Sequence, residues 1–413
     1  MTTTNTPSLD ELAARARDLV PAIRQRAAVT EQTRTVPAET IEELREAGLF
    51  RLYQPARYGG FEMDWGAQID LARIVGSACG STAWLLTVLA THSAMVGRLD
   101  GEAQSDVWAE NDEALVATGS ARIEGEAVPV DGGYLVQGVW RFASGVDHSQ
   151  WTMVAVPVEG TEAEGTAALR QCLIPAEDYR IVDDWYVSGL RGTGSKQVVV
   201  DAPLFVPEHR TLGFLDLLGP RPPGAEVNDG YVYRMEFGPY FGTILLGPVL
   251  GIAEGALEDY LDLTRVKVGV VRGNRVAESQ VVQLRVAESA AEIAASGLLV
   301  ERMLEMLHLA GEQDNLLTPR QRVETMRDRA YATRLCVDAV HRLVRQMGAT
   351  GLSEINPVQR HFRDISAAQG QIGLNWDHNA GTYGKWVLGV ATGDRTIDGS
   401  PAPGGEEAAD SIA

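Results

Sequence analysis

The chain has 413 residues, of which 45% are hydrophobic and 22% charged, a composition typical of a globular protein with two or three packed units. Its formal net charge of −20 argues against partners that are themselves negative, so no nucleic acid and no membrane surface is expected as a ligand. The apolar run at 83–90 is too short to span a bilayer, and the three cysteines are far apart, so the sequence predicts a soluble cytoplasmic protein without disulfides or metal.

The first part of the chain, residues 1–117, is predicted to be an N-terminal α-helical domain. Ser8 and Glu11 form a capping-box pattern before the first helix, and Pro37 and Gly48 are placed as the start and end signals of a second helix. The segment STAWLLTVLATHSAMVG is apolar on nearly every side, which is typical of a buried helix.

Residues 118–230 are predicted to form a small β-domain that ends in a linker. The segment VDGGYLVQGVWRFASG alternates with period 2, and its Asp-Gly-Gly sequence predicts a hairpin turn. Two further segments, WTMVAVPV and KQVVVDAPLFV, are predicted strands, and GPRPPGAEVNDG is the Pro/Gly-rich connection. The side chains predicted to share one strand face are Tyr134, Val136, Trp140 and Phe142.

Residues 231–395 are predicted to form a C-terminal four-helix bundle, and the tail 396–413 is predicted to be disordered. One helix is indicated by apolar residues spaced 3, 4, 3 and 4 apart, and similar patterns cover about 238–266, 319–348 and 357–390. Apolar positions on more than one helix face predict a homotetramer. The spaced residues are Leu284, Ala287, Ala291, Ala294 and Leu298.

Helices, then a β-domain, then a helical bundle is an order that resembles the acyl-CoA dehydrogenase fold, an α+β architecture. Four segments in matching order carry the resemblance over nearly the whole chain. They are PARYGG (55–60), WRFASG (140–145), GLRGTGSKQVVVDAPLFVP (189–207) and QMGATGL with the following NPVQRHFRD (346–364).

Two of these regions depart from the dehydrogenases. The turn that holds the catalytic Glu-Gly-Thr in much of the family reads GLNWDHNAG here, and WRFASG has the Trp-x-Phe-x-Ser-Gly form. Both features resemble a branch of this fold, the two-component flavin-dependent monooxygenases, which includes p-hydroxyphenylacetate hydroxylase oxygenases, dibenzothiophene monooxygenases and polyketide hydroxylases.

The resemblance implies an oxygenase component that hydroxylates a small aromatic substrate, phenolic or polyketide-like. Its cofactors would be O2 and reduced FMN or FAD supplied by a separate flavin reductase, with reaction through a C4a-hydroperoxyflavin. The sequence agrees, because it contains no strand–GxGxxG–helix unit for a nicotinamide cofactor.

The resemblance also implies roles for single residues. An imidazole suits a peroxide-facing group, since it can donate a hydrogen bond and take a phenolic proton near neutral pH. The implied catalytic residues are His378, Ser144 and His92. The implied cofactor-binding residues are Trp140, Phe142, Ala143, Ser144, Thr193, Ser195, Arg272, Gln283 and Gln346. The implied substrate-pocket residues are His92, Trp376, Asn379 and Tyr383.

Three alternatives stay open at the level of sequence. The same chemistry could oxygenate sulfur or nitrogen, as in thiophene or amino-sugar substrates. An acyl-CoA dehydrogenase would need Asp377 as its base, and a helical scaffold that merely kept the fold would bind no flavin.

Overall fold

A computed structural model of the protein describes residues 6–119, 121–269 and 273–399. The chain forms two compact units, Met1–Gly251 and Ile252–Ala413. The boundary between them falls inside helix α8 (Leu246–Val266).

The first unit begins with five helices, and the first of them starts at the predicted capping signal. The Ser8 hydroxyl accepts a hydrogen bond from the Glu11 backbone N–H, and the Glu11 carboxylate accepts one from the Ser8 N–H, so the predicted capping box is confirmed. The segment predicted to be a buried helix is α4, and nearly all of its residues are buried. The five helices are α1 (Leu9–Thr33), α2 (Ala38–Glu46), α3 (Ala67–Gly76), α4 (Gly80–Gly97) and α5 (Gly101–Trp108).

Two four-stranded sheets follow, and their facing side chains form one core that includes Trp140, Val154 and Val198. The predicted hairpin is confirmed, because Val130 pairs with Gly133 across the turn. One sheet has the order β1-β4-β5-β8, with β1 and β4 parallel; the other is β2-β3-β7-β6 and antiparallel. The strands are β1 (Val116–Gly119), β2 (Ala121–Val130), β3 (Gly133–Ala143), β4 (Trp151–Pro157), β5 (Leu169–Pro175), β6 (Arg180–Val182), β7 (Lys196–Pro207) and β8 (Thr211–Gly213).

The predicted alternation of buried and exposed side chains in β3 fails at the C-terminal end of the strand. Trp140 is fully buried in the sheet core, whereas Phe142 is 46% exposed. The pairing of β3 with β7 shifts register between Trp140 and Ala143, and Phe142 has a left-handed backbone with φ +67°. This irregularity turns the Phe142 ring away from the inner face that its sequence position predicts.

The segment after β8 contains short helices α6 (Phe214–Leu218) and α7 (Phe237–Phe241) before α8 begins. The segment Phe237–Val266 has 30 residues and is long and apolar enough to cross a membrane. It is therefore a longer apolar segment than the run at 83–90 that the sequence analysis considered. However, 78% of its most apolar window is buried inside the protein, as in a core helix of a soluble protein.

The second unit consists of helices, in agreement with the predicted bundle. The pattern at 357–390 does not form one helix, because Asn356 and Asn375 each cap the start of a separate helix. The start of the tail that was predicted to be disordered is a short helix, and residues 400–413 lie outside the described residues. The helices are α9 (Gln280–Glu312), α10 (Pro319–Met347), α11 (Pro357–Ala368), α12 (Trp376–Val387) and α13 (Arg395–Asp398).

The buried face of α9 is not the one that the spacing indicated. Leu284 and Leu298 are 56% and 66% exposed, although they belong to the predicted apolar stripe. Instead, Ser289 and Ser296 face α10, where their hydroxyls donate to the carbonyl oxygens of Ala339 and Ala332. Small residues with satisfied hydroxyls let the two helices approach closely, so the larger leucines remain on the outside.

Candidate active site

A strained turn at the end of β3 holds three of the predicted cofactor-binding residues. Phe142 has positive φ, which non-glycine residues rarely adopt, and the Ser144 N–H donates to the Phe142 carbonyl oxygen at 2.9 Å. Ala143 is fully buried, whereas Phe142 is 46% exposed and Ser144 is half-buried. Such backbone strain often marks a functional site.

Gly145 anchors this turn against helix α4. Its φ is +75°, its N–H donates to the Thr193 carbonyl oxygen at 3.0 Å, and a Cβ on it would lie 3.1–3.2 Å from methyl groups of Leu85 and Leu89. A larger residue would therefore be strained and crowded at this position. The Ser144 turn is thus fixed directly on α4.

Three hydroxyl groups form a hydrogen-bonded chain behind the turn. The Ser144 and Ser195 Oγ atoms lie 2.7 Å apart, Ser195 Oγ lies 2.7 Å from Thr193 Oγ1, and Thr193 donates to the Leu190 carbonyl oxygen at 2.9 Å. Thr193 and Ser195 are buried, and Ser144 is half-buried. The resemblance implies that Thr193 and Ser195 contact flavin. In the structure both residues are buried, and Ser144 is the one of the three that is partly exposed.

His92 lies in α4, one helical turn after Leu89, and is buried. Its Nδ1 is 2.7 Å from the Val116 carbonyl oxygen, and its Nε2 is 3.1 Å from the Thr118 hydroxyl. Since a carbonyl oxygen only accepts, Nδ1 carries the proton. Burial lowers the pKa of His92 from 6.5 to about 4, so the ring is neutral near pH 7 and Nε2 is an acceptor.

Thr118 is a site residue that the sequence did not indicate. It is half-buried at the end of β1 and contacts the one ring nitrogen of His92 that is free to accept. No local motif marks it, because its partner is 26 residues away along the chain.

The low pKa of His92 has a measurable effect on stability. Between pH 6.5 and pH 4 the unfolded chain binds a proton that the folded chain excludes, so the free energy of unfolding falls as the pH falls. From this residue we expect a loss of about 2 kcal/mol by pH 5 and about 3 kcal/mol at pH 4. Urea denaturation at pH 7 and pH 5 measures this loss.

The matched variant for that measurement is His92→Asn, whose amide nitrogen can replace Nδ1 as the donor to Val116. Its loss of stability between pH 7 and pH 5 should be about 2 kcal/mol smaller than that of the wild type. Equal losses in the two proteins would show that His92 titrates normally.

Trp140 is a core residue. Its side chain is fully buried, and its ring N–H donates to the Ala155 carbonyl oxygen at 2.8 Å. The indole therefore has no exposed surface in this unit.

The predicted catalytic and substrate-pocket residues of the second unit lie on α12. Asn375 caps this helix by accepting from the His378 N–H at 3.0 Å, and the His378 side chain is exposed on the unit's surface. The Trp376 ring packs at a tilt against Tyr331, with 5.3 Å between ring centroids, and Tyr383 lies under the Arg327 guanidinium at 4.4 Å. All three predicted side chains are at least partly accessible.

Asn379 is a structural brace. It is fully buried; its Oδ1 accepts from Arg329, and its Nδ2 donates to the carbonyl oxygens of Ile372, Gly373 and Asn375. These bonds occupy the amide, so the side chain cannot line a substrate pocket as the resemblance implied. It fixes the loop that starts α12 and thereby the position of His378.

The three other residues predicted to bind the cofactor are Arg272, Gln283 and Gln346. Arg272 lies outside the described residues. Gln283 is exposed near the start of α9 and donates to the Ala277 carbonyl oxygen at 3.0 Å. Gln346 is half-buried in the last turn of α10. Within the described ranges, no three His, Cys, Asp or Glu side chains could together hold a metal ion.

Comparison with known proteins matches both ends of the chain to one family. Residues 6–108 match the acyl-CoA dehydrogenase N-terminal domain, and residues 244–376 match the acyl-CoA dehydrogenase C-terminal domain. Across the whole chain, the oxygenase subunit HsaA of a flavin-dependent monooxygenase from Rhodococcus jostii (strain RHA1) is 33% identical over 387 residues, which is 92% of this chain and 98% of that protein. The chain belongs to the flavin-dependent monooxygenases with this fold.

Two further relatives support the same family of monooxygenases. The oxygenase component of the FADH2-dependent resorcinol hydroxylase from Rhizobium sp. (strain MTP-10005) is 34% identical over 391 residues, 92% of this chain and 94% of that protein. The crystal structure of 3-HSA hydroxylase from Rhodococcus sp. RHA1 superimposes with a TM-score of 0.86 at 32% identity, covering 93% of this chain and 98% of that one. The fold predicted from the sequence is confirmed.

Proposed function

We propose that this monooxygenase is the oxygenase component of a two-component system that hydroxylates a small phenolic substrate in the cytoplasm. A separate reductase supplies reduced FMN or FAD. The observation that carries the proposal is that the strained turn with the half-buried Ser144 packs on the same helix, α4, that holds a neutral, buried imidazole.

The turn at Phe142–Ser144 fits a flat heteroaromatic cofactor. The Phe142 ring is exposed and packs edge-on to Trp185 at 6.0 Å between centroids, which leaves an apolar surface for a ring system. Beside it, the Ser144 hydroxyl offers a polar contact to a ring N–H. Reduced flavin, when bound, supplies the electrons that let one atom of O2 enter the substrate while the other leaves as water.

The pair of His92 and Thr118 fits a phenolic hydroxyl group. The Thr118 hydroxyl donates to Nε2 of the neutral ring, so the half-buried Thr118 oxygen is left as a hydrogen-bond acceptor. A phenol O–H can donate to the Thr118 oxygen, which holds the ring and draws electron density toward the carbon to be oxygenated. A thiophene sulfur has no hydrogen to donate, so the pair favours phenols over sulfur oxygenation.

His378 is proposed as the second functional imidazole. Its side chain is exposed, and the Asn375 cap and the Asn379 brace hold the first turn of α12 around it. It would donate a hydrogen bond to the activated oxygen and take up the substrate proton. Asp377 is exposed beside it and is the residue that a dehydrogenase would need as a base.

The exposed stripe on α9 supports the proposal of a homotetramer. Leucine side chains such as Leu284, Leu298 and Leu309, all more than half exposed, would be buried by a second copy of the chain. Sedimentation at micromolar concentration tests this assembly.

The decisive experiment is anaerobic loading of the purified chain with reduced FMN or FAD, followed by rapid mixing with O2 and a panel of simple phenols. The proposal expects a hydroxylated phenol that carries one atom of ¹⁸O from ¹⁸O2. Without a reductase the chain should not oxidise NADH. Bleaching of bound oxidised flavin by an acyl-CoA, with no oxygenated phenol, would instead identify a dehydrogenase.

A further inference from the structure

We propose that Ser195 and Thr193 are positioning residues that fix Ser144 as a hydrogen-bond acceptor, so that the site binds reduced flavin in preference to oxidised flavin. The inference rests on the proposed function, since it concerns the same flavin site. It assigns the choice of redox state to two side chains that do not touch the cofactor.

The direction of each hydrogen bond follows from the donors available. The Leu190 carbonyl oxygen can only accept, so the hydroxyl proton of Thr193 points to it across 2.9 Å. Ser195 must then donate to Thr193, because Thr193 has no second proton to give. Ser195 is left without a proton for Ser144, and so Ser144 must donate to Ser195.

Because two members of this hydroxyl chain are buried, its hydroxyl groups cannot exchange their donor and acceptor roles. Thr193 and Ser195 are 1% and 4% exposed, so water cannot replace a lost partner. If Ser195 donated to Ser144 instead, the oxygens of Ser195 and Thr193 would face each other at 2.7 Å with no proton between them. Unmatched polar atoms in the interior are costly, so the chain has one favoured direction.

The consequence concerns Ser144, the one residue of the three that is not buried. Because its proton is given to Ser195, the Ser144 oxygen can only accept a hydrogen bond from a ligand at this turn. The flavin nitrogens N1 and N5 accept hydrogen bonds in the oxidised ring and become N–H donors when they take up hydrogen. A Ser144 oxygen that can only accept therefore matches a protonated nitrogen of reduced flavin. In oxidised flavin, the lone pair of the ring nitrogen would face a lone pair of Ser144, and the two repel each other.

The test compares the dissociation constants for oxidised and reduced FMN, the latter measured anaerobically. In Ser195→Ala the Ser144 proton is released and can be donated outward, so oxidised FMN should bind roughly tenfold more tightly, while reduced FMN changes by less than about twofold. By linkage, the potential of bound flavin should fall by about 30 mV, since tenfold corresponds to that value for two electrons. A spectroelectrochemical titration measures the potential independently.

Further variants test whether the effect comes from the direction of the Ser144 proton or from a general disturbance of the flavin site. Thr193→Val should act like Ser195→Ala, because it frees the Ser195 proton for Ser144, whereas Thr193→Ser keeps the hydroxyl and should restore the wild-type ratio. The matched control is Thr211→Val, which removes a buried hydroxyl of the same β-domain that bonds Glu208 and Arg170. It should leave the ratio unchanged.

A double-variant cycle decides whether the effect passes through Ser144. In a Ser144→Ala background, adding Ser195→Ala should not change the ratio of the two dissociation constants. A shift that persists there, or an equal weakening of both redox states by Ser195→Ala alone, would overturn the positioning role. A wild-type chain that binds neither form of flavin would instead refute the proposed function.

Discussion

Replacing His378 with alanine is expected to leave flavin binding intact while the hydroxylated product per reduced flavin consumed falls by about 10- to 100-fold. The reason is that the imidazole would hold the activated oxygen by a hydrogen bond and accept the substrate proton. Without it, the oxygen should leave as hydrogen peroxide. Because the side chain is exposed and its backbone is held by the Asn375 cap, the substitution should not disturb folding.

Product yield by chromatography and peroxide by a coupled peroxidase assay measure this loss of coupling. The matched control is Asp377→Asn, which changes the neighbouring exposed residue of the same helical turn. It should keep coupling within about twofold if a carboxylate base is not part of the chemistry. Full coupling in His378→Ala, together with loss of activity in Asp377→Asn, would assign the role to the aspartate.

The second large effect is expected at Arg98, which is fully buried and donates to five backbone carbonyl oxygens of the described residues. Burial lowers its pKa to about 9, so it remains charged near pH 7. Its guanidinium binds the chain at both ends of the segment that the sequence predicted to be a Pro/Gly-rich connection. The carbonyl oxygens that accept from it belong to Leu217, Gly219, Val232, Tyr233 and Met235.

Arg98→Met should lower the free energy of unfolding by at least about 4 kcal/mol, because several buried carbonyl groups lose their donor at once. Arg98→Lys should also be destabilising, since one ammonium group cannot reach the same set of acceptors. Denaturation in urea at pH 7 measures both. As a control, Arg180→Met removes an exposed ion pair with Asp201 and should have a far smaller effect, because solvent screens this pair. Equal effects of Arg98→Met and Arg180→Met would show that the buried bonds contribute little.

The sequence predicted those features of the fold that depend on neighbours along the chain. The capping box at Ser8, the hairpin after Val130 and the apolar character of α4 each follow from a few consecutive residues. Helical periodicity correctly indicated α9, yet the stripe at Leu284 and Leu298 proved to be exposed. Spacing shows that a helix has an apolar face; it does not show which face the neighbouring helix takes.

The candidate site likewise contains some residues that the sequence indicated and others whose role only the structure showed. The resemblance pointed to Ser144 and His92, and the structure placed both along α4, but it also moved Trp140 and Asn379 into structural roles. Thr118 could not be found from the sequence, because it gains its role only from contact with a distant histidine.

By itself the sequence indicated the order of helices and strands, the family and the candidate reactive side chains. The tertiary structure decided the burial of His92, the outward turn of Phe142 and the contact between the Ser144 and Ser195 hydroxyl groups. The physical reason is distance along the chain: His92 meets Thr118 across 26 residues and Ser144 meets Ser195 across 51. Burial and hydrogen-bond direction exist only after such segments have come together.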